Sequence, residues 1–237
     1  MMGQVGLVLS CEHAGNEVPQ IFSASFRASK QTLGSHRGYD PGAHALAQAF
    51  ATTLGVRLYA QSVSRLLIDC NRSEESPTLF SPFSPLTPDG RQRLLTEHYR
   101  PYRDSVKAEV ERLLNTNVRV VHLSVHSFTP ELRGKVRATD IGLLFDPTHT
   151  FETSVCERWR SALLSTKTDY AVHDNEPYRG DGDGLTTSLR NTFPRDRYAG
   201  IELEVNQKYP RRHPVRWSAL QLLVTTTFAT AIRQLTS

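Results

Sequence analysis

Cysteine is scarce in this chain, and apolar runs long enough to leave water are absent. The three cysteines, Cys11, Cys70 and Cys156, show no CxxC spacing. This excludes a disulfide framework, and an odd, unpatterned set of thiols suits a reducing cytoplasm. VLSC near the start superficially resembles a lipoprotein cleavage box. No Lys or Arg precedes it, however, and the run from Val5 to Leu9 is too short for a signal-peptide core. Nothing approaches the length of a membrane span, so the expectation is a cytoplasmic protein with no membrane partner. Concentrated positive charge is missing too. The net charge is +4, but Lys and Arg are scattered, and the densest cluster is Arg211, Arg212 and His213. That is too short for a nucleic-acid groove and reads as a solvated turn. No GxGxxG stands between a strand and a helix, and Asp181 and Asp183 of the glycine-rich loop would repel a phosphate. The same loop lacks the ligand spacing of an EF-hand. Internal repeats and domain boundaries are also lacking, so residues 1–237 are expected to form a single domain.

What is present suits one large α/β domain. The 237 residues are 38% hydrophobic and 22% charged, which a folded core requires and a disordered chain does not reach. The central stretch is LVLSCEHAGNEVP, residues 7–19. It starts as an apolar strand, read as 5–10, and breaks into Cys11, Glu12, His13, Gly15, Asn16 and Glu17. A buried strand ending abruptly in polar residues is where α/β proteins often place their chemistry. VVHLSVHS repeats the arrangement and ends at His126 and Ser127; GIELEVN repeats it with Glu204. Three strand ends are therefore expected to converge on one metal and one carboxylate base.

Further strands are predicted over 56–63, 65–69, 118–125, 141–145, 170–173 and 199–205. Helices are predicted from Asp40-Pro41 to Gly55, from Thr87-Pro88 towards Asn115 with a break at Pro101, over 151–165, and over 214–235. Strands alternating with helices imply a three-layer α/β/α sandwich around a mainly parallel or mixed central sheet. Two loops, 73–90 and 175–184, stand out. The first is long enough to be functional, and the second reads as a flexible cover over a substrate.

Taken singly, the polar residues have plain structural readings. His13 can be a hydrogen-bonded core histidine, and Glu12 a loop carboxylate capping a neighbour. Asp40 can be a helix N-cap, with Pro41 as the first helical residue. Arg65, at the end of an apolar segment, needs a partner. Either Asp69 or a bound carboxylate would serve. Glu202 and Glu204 share a strand face because they are two apart.

As an ordered set these segments resemble the N-formylglutamate amidohydrolase family. The resemblance is carried by SCEHAGNEVP (10–19), the Asp40 segment, RLLIDCNRS (65–73), HSF (126–128), DIGLLFD (140–146), NEPYRGDGDG (175–184) and IELEVNQ (201–207). It implies a zinc carboxypeptidase/aspartoacylase-like fold, that is, a phosphorylase/hydrolase-like sandwich of the zinc exopeptidase type. It also implies hydrolysis of an N-formyl or N-acyl amino acid such as N-formyl-L-glutamate. Zn2+, or another divalent metal, would be held by His13, His126 and a carboxylate, with Asp40 favoured over Glu17. Glu204 would be the general base, with Glu202 as the alternative. Arg65 would polarise the scissile carbonyl. Asn71 and Arg72 would hold the substrate carboxylate, and Asn175 and Tyr178 of the glycine-rich loop would also contact substrate. Two other functions remain open at this level: a carboxypeptidase-like hydrolase of a peptide or cell-wall fragment, and a binding protein that keeps the fold without turnover.

Overall fold

Residues 5–84 and 87–235 are described by the computed structural model of the chain; Pro85 and Leu86 of the long loop lie outside the described residues. In chain order the elements are β1 (Val5–Cys11), α1 (Gln20–Ser23), α2 (Lys30–Leu33), α3 (Ala43–Leu54), β2 (Leu58–Ala60) and α4 (Pro88–Leu94). A π-helical turn, Leu95–Tyr99, leads into α5 (Arg100–Thr116), β3 (Arg119–Phe128), β4 (Glu131–Leu132) and β5 (Lys135–Val136). The chain continues through β6 (Ile141–Leu144), α6 (Thr150–Ser165), β7 (Val172–Asp174), α7 (Leu185–Arg190), β8 (Tyr198–Asn206), α8 (Lys208–Arg212) and α9 (Pro214–Arg233).

Six strands form one sheet in the order β2-β1-β3-β8-β6-β7. The first four run parallel, β6 is antiparallel to β8, and β7 is parallel to β6. The sheet is therefore mixed.

The two-residue period of the strands sorts their side chains onto two faces. Leu9, Val121, Leu123, Val125, Ile201, Leu203 and Val205 share one face and one apolar cluster with Leu46 and Phe50 of α3, Val155 and Trp159 of α6, and Val224 and Phe228 of α9. Phe50, Trp159 and Phe228 meet edge to face, with centroids 4.7–6.2 Å apart, which ties the three helices together. Each of these buried rings contributes roughly 1.5–3 kcal/mol by leaving water. The opposite face begins apolar, with Val8, Val120 and Tyr198 against Val106 and Val110 of α5 and Leu185 and Leu189 of α7. Along the same face the strands then turn polar, through Ser10 and Glu12, His122, Ser124 and His126, and Glu202 and Glu204. Helices cover both faces, so the architecture is a three-layer α/β/α sandwich. The polar ends of β1, β3 and β8 open at the carboxyl edge of the parallel strands, the position where open α/β sheets bind ligands.

Several local expectations are revised. Helix α3 starts at Ala43 with Gly42 as its N-cap at φ 89°, so Asp40 is not the cap. Its side chain turns instead towards His13, His126 and Arg65. Residues 65–69 form turns and not a strand, because their amides bond locally or to loops: Arg65 N–H to Gly38, Leu67 N–H to Ser64 and Asp69 N–H to Leu79. The strand expected over 56–63 is reduced to β2, with a bridge between Glu17 and Val63 beyond it. The β4–β5 hairpin was not expected. Its strands are two residues long, and its turn places Arg133 at φ 51° beside Gly134 at φ 76°, without an Asn-Gly or Asp-Gly signal. Pro101 does divide its helix. It has no N–H to donate and its ring crowds the carbonyl four residues earlier, and the π turn lies immediately upstream. The His98 carbonyl is taken by the Gln61 side chain at 3.2 Å. The three cysteines are buried free thiols. Among the described residues, no helix is long and apolar enough to cross a membrane.

One glycine ties the sheet to the glycine-rich loop. Gly142 on β6 lies opposite Glu204, and a Cβ placed there would sit 2.0 Å from the Glu176 carbonyl oxygen. That neighbour is backbone and has no rotamer to adopt. Gly142→Ala should therefore destabilise the protein by roughly 1–3 kcal/mol, as overpacking does. Gly182→Ala, whose nearest neighbour is 3.5 Å away, should change little. Thermal denaturation of both variants checks this; equal melting temperatures would contradict the close approach.

Candidate active site

Hydrogen bonds to main-chain carbonyls hold the segments of the cluster together. Past the end of β1, the His13 carbonyl accepts from the Asp40 amide at 3.0 Å, and the Gly38 carbonyl accepts from Arg65 N–H and Ser64 Oγ. Three segments distant in sequence are thus held edge to edge. His126 arrives from β3, where it pairs in register with Glu204 of β8.

The side chains then converge. Asp40 Oδ2 lies 3.2 Å from His13 Nδ1 and 3.0 Å from His126 Nδ1. One donor atom from each of these three buried residues falls within 4.8 Å of the others. The outer ring nitrogens face carboxylates: His13 Nε2 lies 2.7 Å from Asp69 Oδ1, and His126 Nε2 lies 3.0 Å from Glu12 Oε2. Arg65 completes the frame, with one guanidinium nitrogen 3.2 Å from Asp40 Oδ1 and the other 3.0 Å from Asp69 Oδ2. Of the two partners considered for Arg65, Asp69 is the one present, and Asp40 is added to it. Both Arg65 and the three clustered residues line a cavity of about 470 Å³ that also takes in Arg72, Tyr178, Glu202 and Glu204.

Burial alone would raise the Asp40 carboxyl, but His13, His126 and Arg65 outweigh it and hold it well below the usual carboxylate range. Burial would lower His126; hydrogen bonds and charge from Asp40 and Glu12 outweigh it, and its pKa rises well above the ordinary histidine value. Glu204 behaves oppositely to Asp40. Burial pushes its pKa up to about 8, with His126 opposing and Asp40 and Glu202 adding to the rise. Glu204 Oε2 is buried without a hydrogen-bond partner. The carboxylate pair thus divides into one group held ionised among cations and one that can take up a proton near neutral pH, the separation expected of acid–base machinery.

The His13/Asp40/His126 group fits a divalent metal. Two imidazole nitrogens and a carboxylate oxygen form a zinc-type donor set that leaves a coordination position open. Their outer nitrogens are held by carboxylates, as metal-ligating histidines usually are. Glu17 lies outside the group: it is exposed and accepts from Ser62 Oγ at 2.7 Å.

Of the residues expected at the substrate, Asn71, Arg72 and Tyr178 line the cavity. Arg72 Nη1 donates to the carbonyls of Asn71 and Asp183 at 2.8 Å, and Asn71 Oδ1 accepts from Leu185 N–H. Ser73 N–H donates to Asp183 Oδ1. These contacts anchor the glycine-rich loop expected to be flexible. Tyr178 Oη accepts from Arg137 at 3.0 Å, with the guanidinium stacked 4.8 Å from its ring. Asn175 is different. Its Oδ1 accepts from the amides of Phe145 and Gly180, which ties the loop to the residue after β6, and it is not among the residues that line the cavity. Glu202 lines the cavity and accepts from Thr186 Oγ1 at 2.8 Å. The sequence reading missed Glu12 and the Asp69–His13 contact. The available signal was the alternation of Ser10 on β1 with Glu12 just past its end, beside Ser124 and His126 on β3.

A three-layer sandwich with a candidate metal group and a buried carboxylate at its strand ends defines a hydrolase-type α/β protein. The sequence profile of N-formylglutamate amidohydrolase matches residues 5–209. The chain belongs to the N-formylglutamate amidohydrolase family, a family of amide hydrolases. A crystallised gene product of Agrobacterium tumefaciens is similar at 26% identity and a TM-score of 0.82, over 99% of this chain and 92% of the other. The N-formylglutamate amidohydrolase of Ralstonia eutropha JMP134 shares the fold, at 21% identity and a TM-score of 0.76, over 97% and 93% of the two chains. No curated protein matches the chain in sequence.

Asp40 can be separated from Glu17 by metal content. His13→Ala, His126→Ala and Asp40→Asn should each lose most bound zinc in elemental analysis, while Glu17→Gln keeps it. Asn would serve about as well as Asp in a capping role, so unchanged zinc in Asp40→Asn would remove it as a ligand.

Proposed function

We propose that this protein is a metal-dependent amidohydrolase that cleaves the N-formyl or N-acyl amide of a small amino acid such as N-formyl-L-glutamate. The observation that carries the reading is the shared cavity: the His13/Asp40/His126 group and Glu204, whose buried Oε2 meets no hydrogen-bond donor among the described residues, line the same space. Family membership supports the amide as the bond cleaved. A volume of about 470 Å³ suits a small molecule.

In this reading His13 Nδ1, His126 Nδ1 and Asp40 Oδ2 hold the metal. When bound, a divalent cation such as zinc supplies Lewis acidity for the amide carbonyl and makes water a ready nucleophile near neutral pH. Glu204 takes the proton from the attacking water and returns it to the departing amine, for which its raised pKa is suited. Arg65 stands with about a quarter of its side chain exposed beside Asp40, where its charge favours the developing oxyanion. Arg72 and Asn71 hold the substrate carboxylate. Arg72 Nη1 donates to two carbonyls beside the cavity it lines, which places a guanidinium where a carboxylate can be met. Tyr178, braced by Arg137, contacts the substrate from the cavity wall formed by the glycine-rich loop. For an N-formyl amino acid the products are formate and the free amino acid.

The direct test is metal analysis followed by free-amine release over a panel of N-formyl and N-acetyl amino acids and small peptides. Glu204→Gln should lower kcat by roughly 10²–10⁴, the usual contribution of a general base, with metal content unchanged. Full activity in that variant would remove Glu204 as the base.

Arg72→Ala should mainly raise KM, by the equivalent of about 1.5–3 kcal/mol for a charged hydrogen bond. The effect should shrink for substrates whose α-carboxylate is amidated. Equal losses on free-acid and amidated substrates would make Arg72 a structural residue.

A further inference from the structure

We propose that Glu12 is a positioning residue that acts through His126, holding the imidazole by its Nε2–H so that Nδ1 is presented to the metal group. The proposal rests on the metal reading given above and adds a residue to it.

Glu12 is 1% exposed and lies just past the end of β1. A carboxylate so placed is costly unless its oxygens are bonded. Oε1 accepts from Tyr102 Oη at 2.9 Å; Oε2 accepts from Ser124 Oγ and lies 3.0 Å from His126 Nε2. Neither oxygen takes a backbone amide in these contacts, so Glu12 is not capping a loop. No Lys or Arg pairs with it either, whereas Asp69, which holds His13, is shared with Arg65 and the Asn71 amide. The partners of Glu12 are side chains of α5 and β3, and one of them is the ring nitrogen opposite the atom that meets Asp40.

A carboxylate faces each ring nitrogen of His126, Asp40 at Nδ1 and Glu12 at Nε2. Ser124 Oγ, whose proton goes to Glu12, also lies 2.8 Å from His126 Nε2 and can only accept from it. An ionised carboxylate can only accept. Asp40 Oδ2 lies 3.0 Å from Nδ1, so without a metal that nitrogen donates to Asp40; a metal held by this group would take the Nδ1 lone pair and leave Nε2–H as the ring proton facing Glu12. Tyr102 anchors the carboxylate from α5, so the ring orientation is set by packing of α5 onto the sheet as well as by β3 itself.

The test uses the full chain loaded with cobalt(II), compared with Glu12→Gln. Two readouts are taken: affinity by chelator competition, and the exchangeable, paramagnetically shifted Nε2–H proton resonances of the two ligand histidines. Glu12→Gln should weaken cobalt binding about 10–100-fold, the usual effect of losing such a partner. It should shift or broaden the His126 resonance and leave that of His13 in place. Affinity within twofold of wild type, or equal disturbance of both resonances, would overturn the proposal, the latter by showing a general structural effect. If Glu12→Gln does not fold, Tyr102→Phe carries the test. It should weaken binding roughly threefold, about one hydrogen bond transmitted in part, again with only His126 disturbed; an unchanged His126 signal would overturn the idea. A wild-type protein that takes up no cobalt would remove the metal reading itself, and this inference with it.

Discussion

Asp40 is a buried carboxylate held between two imidazoles and a guanidinium, and the arrangement around it depends on that one group staying ionised. At 4% exposure an unpaired carboxylate would protonate or drag water inside. Here His13, His126 and Arg65 surround it, and each of those is in turn held by another acid: His13 and Arg65 by Asp69, His126 by Glu12. The result is a lattice of alternating acidic and basic side chains in which each buried carboxylate meets a ring nitrogen or a guanidinium. Such a lattice contributes little net stability compared with apolar packing. Its effect is geometric, since every ring and carboxylate is held from two sides.

The apolar layers make that lattice affordable. On the α3/α6/α9 side the sheet is apolar along its length, and the Phe50, Trp159 and Phe228 rings lock three helices to it. The other face is apolar only in its first half. The polar half lies at the carboxyl ends of β1, β3 and β8, where strand pairing already satisfies the backbone and leaves side chains to bond one another. A second buried pair shows the same economy elsewhere. Glu152 Oε1 accepts from the Gly200 amide and from Arg190, which donates to the Gly200 carbonyl. Gly200 lies beyond the last β6 pairing partner of β8, Glu202 opposite Leu144, so side chains finish what the sheet leaves open there.

The substrate end of the cavity is built from contacts that cross long stretches of chain. Residues 71–73 are tied to Asp183, and Gly142 and Gly180 let the glycine-rich loop press its backbone onto β6 and the residues after it. The loop is therefore part of the wall in this structure. Its Tyr178 is held by Arg137 at the foot of the β4–β5 hairpin, so the hairpin and the loop are mechanically joined at the cavity mouth.

Local pattern was enough to mark the strands that end in His13, His126 and Glu204, the layered α/β class, the break at Pro101 and the family. Each of those depends on signals within a few residues: an apolar run that stops, a two-residue alternation, a missing amide. Asp40 was ambiguous for a physical reason, since a carboxylate before Pro41 has the chemistry of a helix cap, and only the approach of two histidines 27 and 86 residues away draws it elsewhere. Arg65 was equally open, because its i+4 neighbour Asp69 and a bound anion satisfy a guanidinium in the same way. The roles of Glu12 and Asp69, the reassignment of Asn175 to the loop and the exclusion of Glu17 from the cluster were decided by tertiary structure. They depend on which ring nitrogen or amide each carboxyl or carboxamide oxygen meets across the sheet, a distance of a few ångströms between segments up to 112 residues apart, as for Glu12 and Ser124, that no spacing in the sequence encodes.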